Sequence, residues 1–226
     1  MRYGRAATFG MIGATLWMAA AVAQGPVAVV EEVSGKPPGI QFMDYVEAGK
    51  VIKLGPHDEI VLGYFKSCWR ETISGGTVTV GTEQSTVQLG SVKRVQVKCD
   101  GGRIELSPEQ GVASAGFISR SVQGQSGSEA KASAADVTLF ARIPMIDVRG
   151  GGTLLIERVD EPGERFEIAI RPAELVRGAF LDFARTNRVL TAGGIYRATL
   201  GAKQIVFKID AAAPPMASLA ARLLRF

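Results

Sequence analysis

Between residues 27 and 97 the hydrophobic pattern is a series of short β-branched runs broken by glycine. The runs at 27–33, 58–65, 77–80, 86–89 and 92–97 follow one another closely, and Gly75-Gly76, Gly81, Gly90 and Gly101-Gly102 stand at or beyond their ends. Turn residues at this spacing predict an all-β region built from short strands. Alternation such as Thr77-Val78-Thr79-Val80 turns one side of a strand inward and the other toward water. No apolar stripe of helical period interrupts the region.

The pattern changes after residue 136. Runs at 137–142, 153–159 and 165–170 again read as strands, and Glu161-Pro162-Gly163 supplies turn chemistry for a hairpin between the last two. Pro172 then opens the one helical pattern in the chain. Leu175, Val176, Ala179, Phe180 and Phe183 recur at three- and four-residue steps, with Glu174, Arg177, Asp182 and Arg185 mainly off the stripe, which predicts a core-facing helix near 173–185. Runs at 195–200 and 204–209 form a second predicted hairpin over Gly201. Pro214-Pro215 ends regular structure, and 218–226 is compatible with either a strand or a short helix.

Two segments stand apart from these regions. Residues 119–135 hold one strong hydrophobe, Val122, in seventeen positions, too little apolar surface to offset the entropy of ordering, so a flexible linker is expected. At the other extreme, Ala6 to Val22 carry no charge, Arg2 and Arg5 precede them, and Ala21-Val22-Ala23 fits a small-x-small cleavage site. Residues 1–23 therefore read as a secretory signal peptide that delivers the chain to the periplasm or the outside. The alternative is an uncut membrane anchor, which would be the chain's one membrane contact.

Charge and composition narrow the partners. The formal net charge of +4 falls to +2 when Arg2 and Arg5 leave with the leader, because that segment has no acid. A small balance spread over both signs gives no reason to expect nucleic acid or an anionic membrane as a target. A hydrophobic fraction of 46% is ample for a buried core. The two cysteines, Cys68 and Cys99, flank predicted strands, and in an oxidising compartment an isolated pair reads as one disulfide. Such a bridge contributes about 3–4 kcal/mol on the chain-entropy account.

Candidate chemistry is sparse. His57, the sole histidine, lies in Gly55-Pro56-His57-Asp58-Glu59 and reads as part of a solvated turn, since a triad or metal centre needs further converging groups. Glu71, Glu83, Asp100 and Glu105 are candidates by type for a carboxylate pair that cleaves glycosides. Tyr64, Phe65 and Trp69 have the chemistry to stack on sugars, but their alternation predicts that at least two of the three are core. Ser128-Glu-Ala-Lys131 matches the Ser-x-x-Lys pattern of serine acyl-enzymes inside a segment with no rigid frame for a nucleophile. The sequence therefore nominates no catalytic, cofactor-binding or metal-ligating residue, and no cofactor.

The stretch 51–111, with Leu54-Gly-Pro56, Asp58-Glu-Ile-Val-Leu-Gly63, Ile73-Ser-Gly-Gly-Thr-Val-Thr-Val-Gly81 and Gln84-Ser85, resembles the FecR-type periplasmic β-domain of bacterial envelope proteins. Leu190-Thr-Ala-Gly-Gly-Ile-Tyr196 followed by Ile205-Val-Phe207 resembles the Ig-like β-domain that often follows it. The paired halves also look like secreted α-proteobacterial proteins carrying the Cys68-Trp-Arg and Cys99-Asp-Gly-Gly segments. The resemblance implies a mainly β fold: a FecR-like domain over 24–118 and a C-terminal β-sandwich-like domain over 136–226 with one short helix. It also implies a noncatalytic envelope module that binds, scaffolds or assists signalling, with an envelope protein or cell-wall component as partner. The rival expectation is an envelope hydrolase or a protein that binds carbohydrate or peptidoglycan.

Overall fold

The computed structural model describes residues 25–101, 135–149 and 151–226. The leader expected at 1–23, Glu105, Ser128, Lys131 and the linker expected at 119–135, apart from Ala135, lie outside the described residues. The fold is mainly β, as the alternation predicts.

The N-terminal sheet is built from β1 (Ala28–Ser34), β2 (Tyr45–Val46), β3 (Val51–Tyr64), β4 (Trp69–Val80), β5 (Ser85–Gln88) and β6 (Ser91–Gln96). Its order is β2-β1-β3-β4, and β4 carries both β5 and β6 on its far edge: β5 pairs with Thr77–Val80 and β6 with Trp69–Ser74. The β3/β4 hairpin runs through a register break, where 55–58 bulge between the pairs Leu54↔Gly76 and Glu59↔Ser74. Gly76 is required there. Its φ is +80°, and a Cβ would fall 2.3 Å from the Gln88 carbonyl oxygen. The break explains why the sequence showed two short runs, at 58–65 and 77–80, where the structure has two long strands. Ile52, Ile60, Leu62, Tyr64, Ile73, Val78 and Val80 fill the core of this half.

The C-terminal half packs two sheets face to face. Five strands, β7 (Val137–Leu139), β9 (Gly152–Arg158), β10 (Arg165–Ile170), β12 (Ile195–Leu200) and β13 (Lys203–Ile209), lie in the order β10-β9-β12-β13-β7. Both predicted hairpins are present, β9/β10 and β12/β13. Three shorter strands, β8 (Met145–Asp147), β11 (Phe180–Asp182) and β14 (Leu223–Leu224), form the opposing sheet β11-β8-β14. Leu154, Ile156, Tyr196 and Phe207 from one sheet meet Ile146, Leu181 and Leu224 from the other in a shared core.

The helix expected near 173–185 is not formed. Pro172–Glu174 and Phe183–Thr186 are single 3₁₀ turns, and β11 runs between them. The physical cause is the turn at Arg177 and Gly178, which take φ of +54° and +66° and reverse the chain so that Val176 pairs with Phe180 across an antiparallel bridge. A glycine reaches that region without cost, so turn chemistry overrides the 3.6-residue period. Phe180 and Phe183 are nevertheless buried, as the stripe required, by strand and turn rather than by a helix face. The helix of the C-terminal half is instead the single turn α1 (Leu219–Arg222), and β14 follows directly, so the ambiguous tail contains both structures.

The two halves pack against each other. Val29, Met43 and Phe65 from the first join Met145, Phe180, Leu219 and Leu223 from the second in one buried cluster. Around it, the Ala220 N–H donates to Glu31 (3.0 Å), the Tyr45 hydroxyl donates to Asp147 (3.1 Å), and Arg177 donates to Asp44 (3.0 Å).

Candidate functional site

Cys68 and Cys99 lie at disulfide distance, with Cα atoms 5.5 Å apart, and join the β3–β4 turn to the end of β6. The Val97 N–H donates to the Cys68 carbonyl (2.9 Å), so the bridge closes a pairing that β4 and β6 have already begun.

The acidic candidates serve separate partners. Glu71, fully buried on β4, accepts from Arg94 Nε (2.6 Å) and from the Ser85 N–H (3.1 Å). Glu83 pairs with Lys66 at the surface (3.1 Å). Asp100 is half-buried. His57 is exposed in the β3 bulge, where Asp58 accepts from the Gly55 and Lys36 N–H groups (2.9 and 3.0 Å) and so uses its carboxylate to shape the turn. Tyr64 and Phe65 are buried and Trp69 partly so, as the alternation predicts, which leaves little of these rings to stack on a sugar. Among the described residues no three His, Cys, Asp or Glu side chains gather as a metal site.

A concave feature with clustered cations lies on the seam between the halves. β2 lays Tyr45 over the seam cluster, where its ring meets the rings of Phe65 (6.2 Å) and Phe180 (5.7 Å) edge-on. Two cations sit over the same ring: the guanidinium of Arg225, just past β14, at 4.7 Å, and that of Arg149, just past β8, at 5.2 Å. The Tyr45 hydroxyl donates to Asp147 Oδ2, and Arg149 Nε pairs with Asp147 Oδ1 (3.2 Å). Burial, reinforced by the adjacent Asp147 carboxylate, holds the Tyr45 phenol neutral well above its ordinary range, while Arg225 acts in the opposite sense.

This cage forms one side of a cleft of about 410 Å³ that is also lined by Pro26, Glu47, Leu200, Lys203 and Phe226. Its size falls in the range of small-ligand sites. The charges are unevenly used. Asp147 is engaged by Arg149 and Tyr45, whereas no described carboxylate lies within salt-bridge distance of Lys203 or Arg225. The arrangement is suited to holding an anion beside apolar surface; it has no side chain poised as a nucleophile beside a base.

A second hollow, of about 380 Å³, lies elsewhere on the seam, between β1 and α1. Glu31 occupies its floor, only 5% exposed, and accepts from Arg70 Nε (2.8 Å) as well as from Ala220. Gly63 makes room for that carboxylate: a Cβ there would lie 2.3 Å from Glu31 Oε1.

Sequence reasoning did not nominate Tyr45, Asp147, Arg149, Lys203 or Arg225. They come from separate segments across the chain, none carries a local motif, and only the docking of the halves gathers them. No family model, curated protein or solved structure matches the chain.

Proposed function

We propose that this protein is a noncatalytic binding or scaffolding module of the bacterial cell envelope. In this reading residues 1–23 export the chain, the N-terminal half is a FecR-like β-domain, and the C-terminal half is an Ig-like partner domain. The seam cleft is its recognition site. The observation that carries the proposal is the cation-lined cleft itself: both halves contribute to its walls, and Lys203 and Arg225 line it with no described carboxylate within salt-bridge distance of either. Cations without an ion-pair partner in a concave site favour an external anionic group, because charges there are less screened than on open surface. The cysteine pair at disulfide distance is in keeping with an oxidising compartment.

The hydrolase alternative has less support, because Glu71 is committed to Arg94 and Ser85, and Glu83 to Lys66. Fractionation of the native host combined with thiol alkylation tests the proposal. The account expects the chain in the periplasmic or extracellular fraction with neither cysteine alkylated before reduction. Full-length chain in the cytosol with two alkylated thiols would overturn it.

A further inference from the structure

Resting on that reading, we propose that the seam cleft captures the C-terminal carboxylate of a peptide whose last side chain is apolar. Three observations converge on this ligand chemistry. First, the Arg225 guanidinium lies over Tyr45 (4.7 Å) and Phe65 (5.6 Å), and it donates no hydrogen bond to a described residue, so its donors are unspent. A guanidinium edge matches a carboxylate through two parallel hydrogen bonds.

Second, two side-chain carboxylates, Asp147 and Glu47, already line the cleft, so a dianionic phosphate meets more repulsion there than a single carboxylate does. Third, Pro26, Leu200 and Phe226 give the same cleft an apolar wall, and a volume of about 410 Å³ admits one or two terminal residues rather than a folded surface. Glu47 supplies an acceptor for the N–H of the bound terminus. A sugar acid presents the same carboxylate but a polar body, which leaves the apolar wall unmatched.

Capture of a free C-terminus in this way is a recurring mode of peptide recognition. It would place the protein on partners that display their ends in the envelope rather than on continuous chain.

Isothermal titration calorimetry on the mature chain with its cysteines oxidised tests this directly. The probes are N-acetyl-Ala-Leu with a free carboxylate, the same dipeptide as its C-terminal amide, glucuronate and inorganic phosphate. The free acid is expected to bind, and the amide to bind about tenfold or more weakly, as loss of a charge-assisted hydrogen bond implies. R225Q and K203Q are expected to weaken the free acid by a similar factor, whereas R165Q, which lies outside the cleft lining, leaves it unchanged. Equal binding of acid and amide would overturn the proposal, as would glucuronate or phosphate binding more tightly than the dipeptide. Because the acid and amide are compared on the unaltered protein, the outcome stands even if R225Q unfolds. An exported, oxidised chain that ignores the free terminus would refute this ligand while leaving the envelope reading intact; cytosolic chain with reduced thiols would remove that reading instead.

Discussion

Glu31 and Glu32 are neighbours in β1 and share one arginine, yet the structure assigns them different consequences when removed. Arg70 reaches Glu31 with Nε at 2.8 Å and Glu32 with Nη2. Glu31 also accepts the Ala220 N–H from the other half, at a site closed to water, whereas the Glu32 side chain is 67% exposed. In Glu31→Ala, Arg70 can turn to Glu32 and solvent, since it is 29% exposed, but the Ala220 N–H loses its acceptor. An orphaned buried donor costs about 1–3 kcal/mol, and loss of the partly buried ion pair raises the expected total to about 3 kcal/mol. For a chain of this size that corresponds to a fall in Tm of roughly 6–12 °C. Glu32→Ala is expected to cost under about 1 kcal/mol, as exposed ion pairs do. The assay is urea denaturation followed by far-UV circular dichroism and by Trp69 fluorescence, with the slopes compared as well as the midpoints. A loss within about 0.5 kcal/mol for Glu31→Ala, the range of neutral surface changes, would refute the reasoning and with it the tight docking of the two halves.

Other consequences follow from the same packing. Arg94→Ala strands the fully buried Glu71 with only the Ser85 N–H, so a loss of about 3 kcal/mol or more is expected in the same assay, and Glu71→Ala added to it should recover part of that loss. Replacing both Cys68 and Cys99 by Ala should cost up to about 3.7 kcal/mol, the chain-entropy value for a sequence separation of 31, and a dithiothreitol-treated wild type should match the variant. Burial holds Tyr64 and Tyr196 up to about 12 in the folded chain, against an ordinary value near 10. Their contribution is therefore intact below the unfolded value and is lost as pH rises from about 10 through about 12, at roughly 1.4 kcal/mol per pH unit for each tyrosine. Alkaline denaturation monitored with the tyrosinate absorbance should show the two events together, and tyrosinate appearing well before unfolding would contradict the assignment.

The strands were legible in this sequence wherever one face is buried and the other wet. Val78 and Val80 are buried beside half-buried or exposed Thr77 and Thr79, and β9/β10 turns where Glu161-Pro162-Gly163 said it would. The cysteine pairing was legible for a related reason, since both residues border strands that share β4. The stretch 172–186 was misread because helical spacing and a turn-linked strand can bury the same residues, and Arg177-Gly178 decided between them. The two-residue strand β2 carried no periodic signal, yet it delivers Tyr45 to the seam. The cleft could not be read at all, because Tyr45 on β2, Arg149 beyond β8, Lys203 on β13 and Arg225 beyond β14 become neighbours only through docking of the halves.

The central claim is that an anionic group from an envelope partner enters the seam cleft beside Lys203 and Arg225. A photoreactive phenylalanine analogue placed at position 26 on the apolar wall of the cleft, irradiated in intact envelopes and followed by mass spectrometry of the adduct, reads that contact where it occurs. The account predicts one dominant cross-link from position 26, carried by the last residues of the partner chain, abolished by Arg225→Glu, and absent when the same analogue stands at position 165. Adducts of equal yield from both positions, or an adduct at position 26 indifferent to Arg225→Glu, would contradict it.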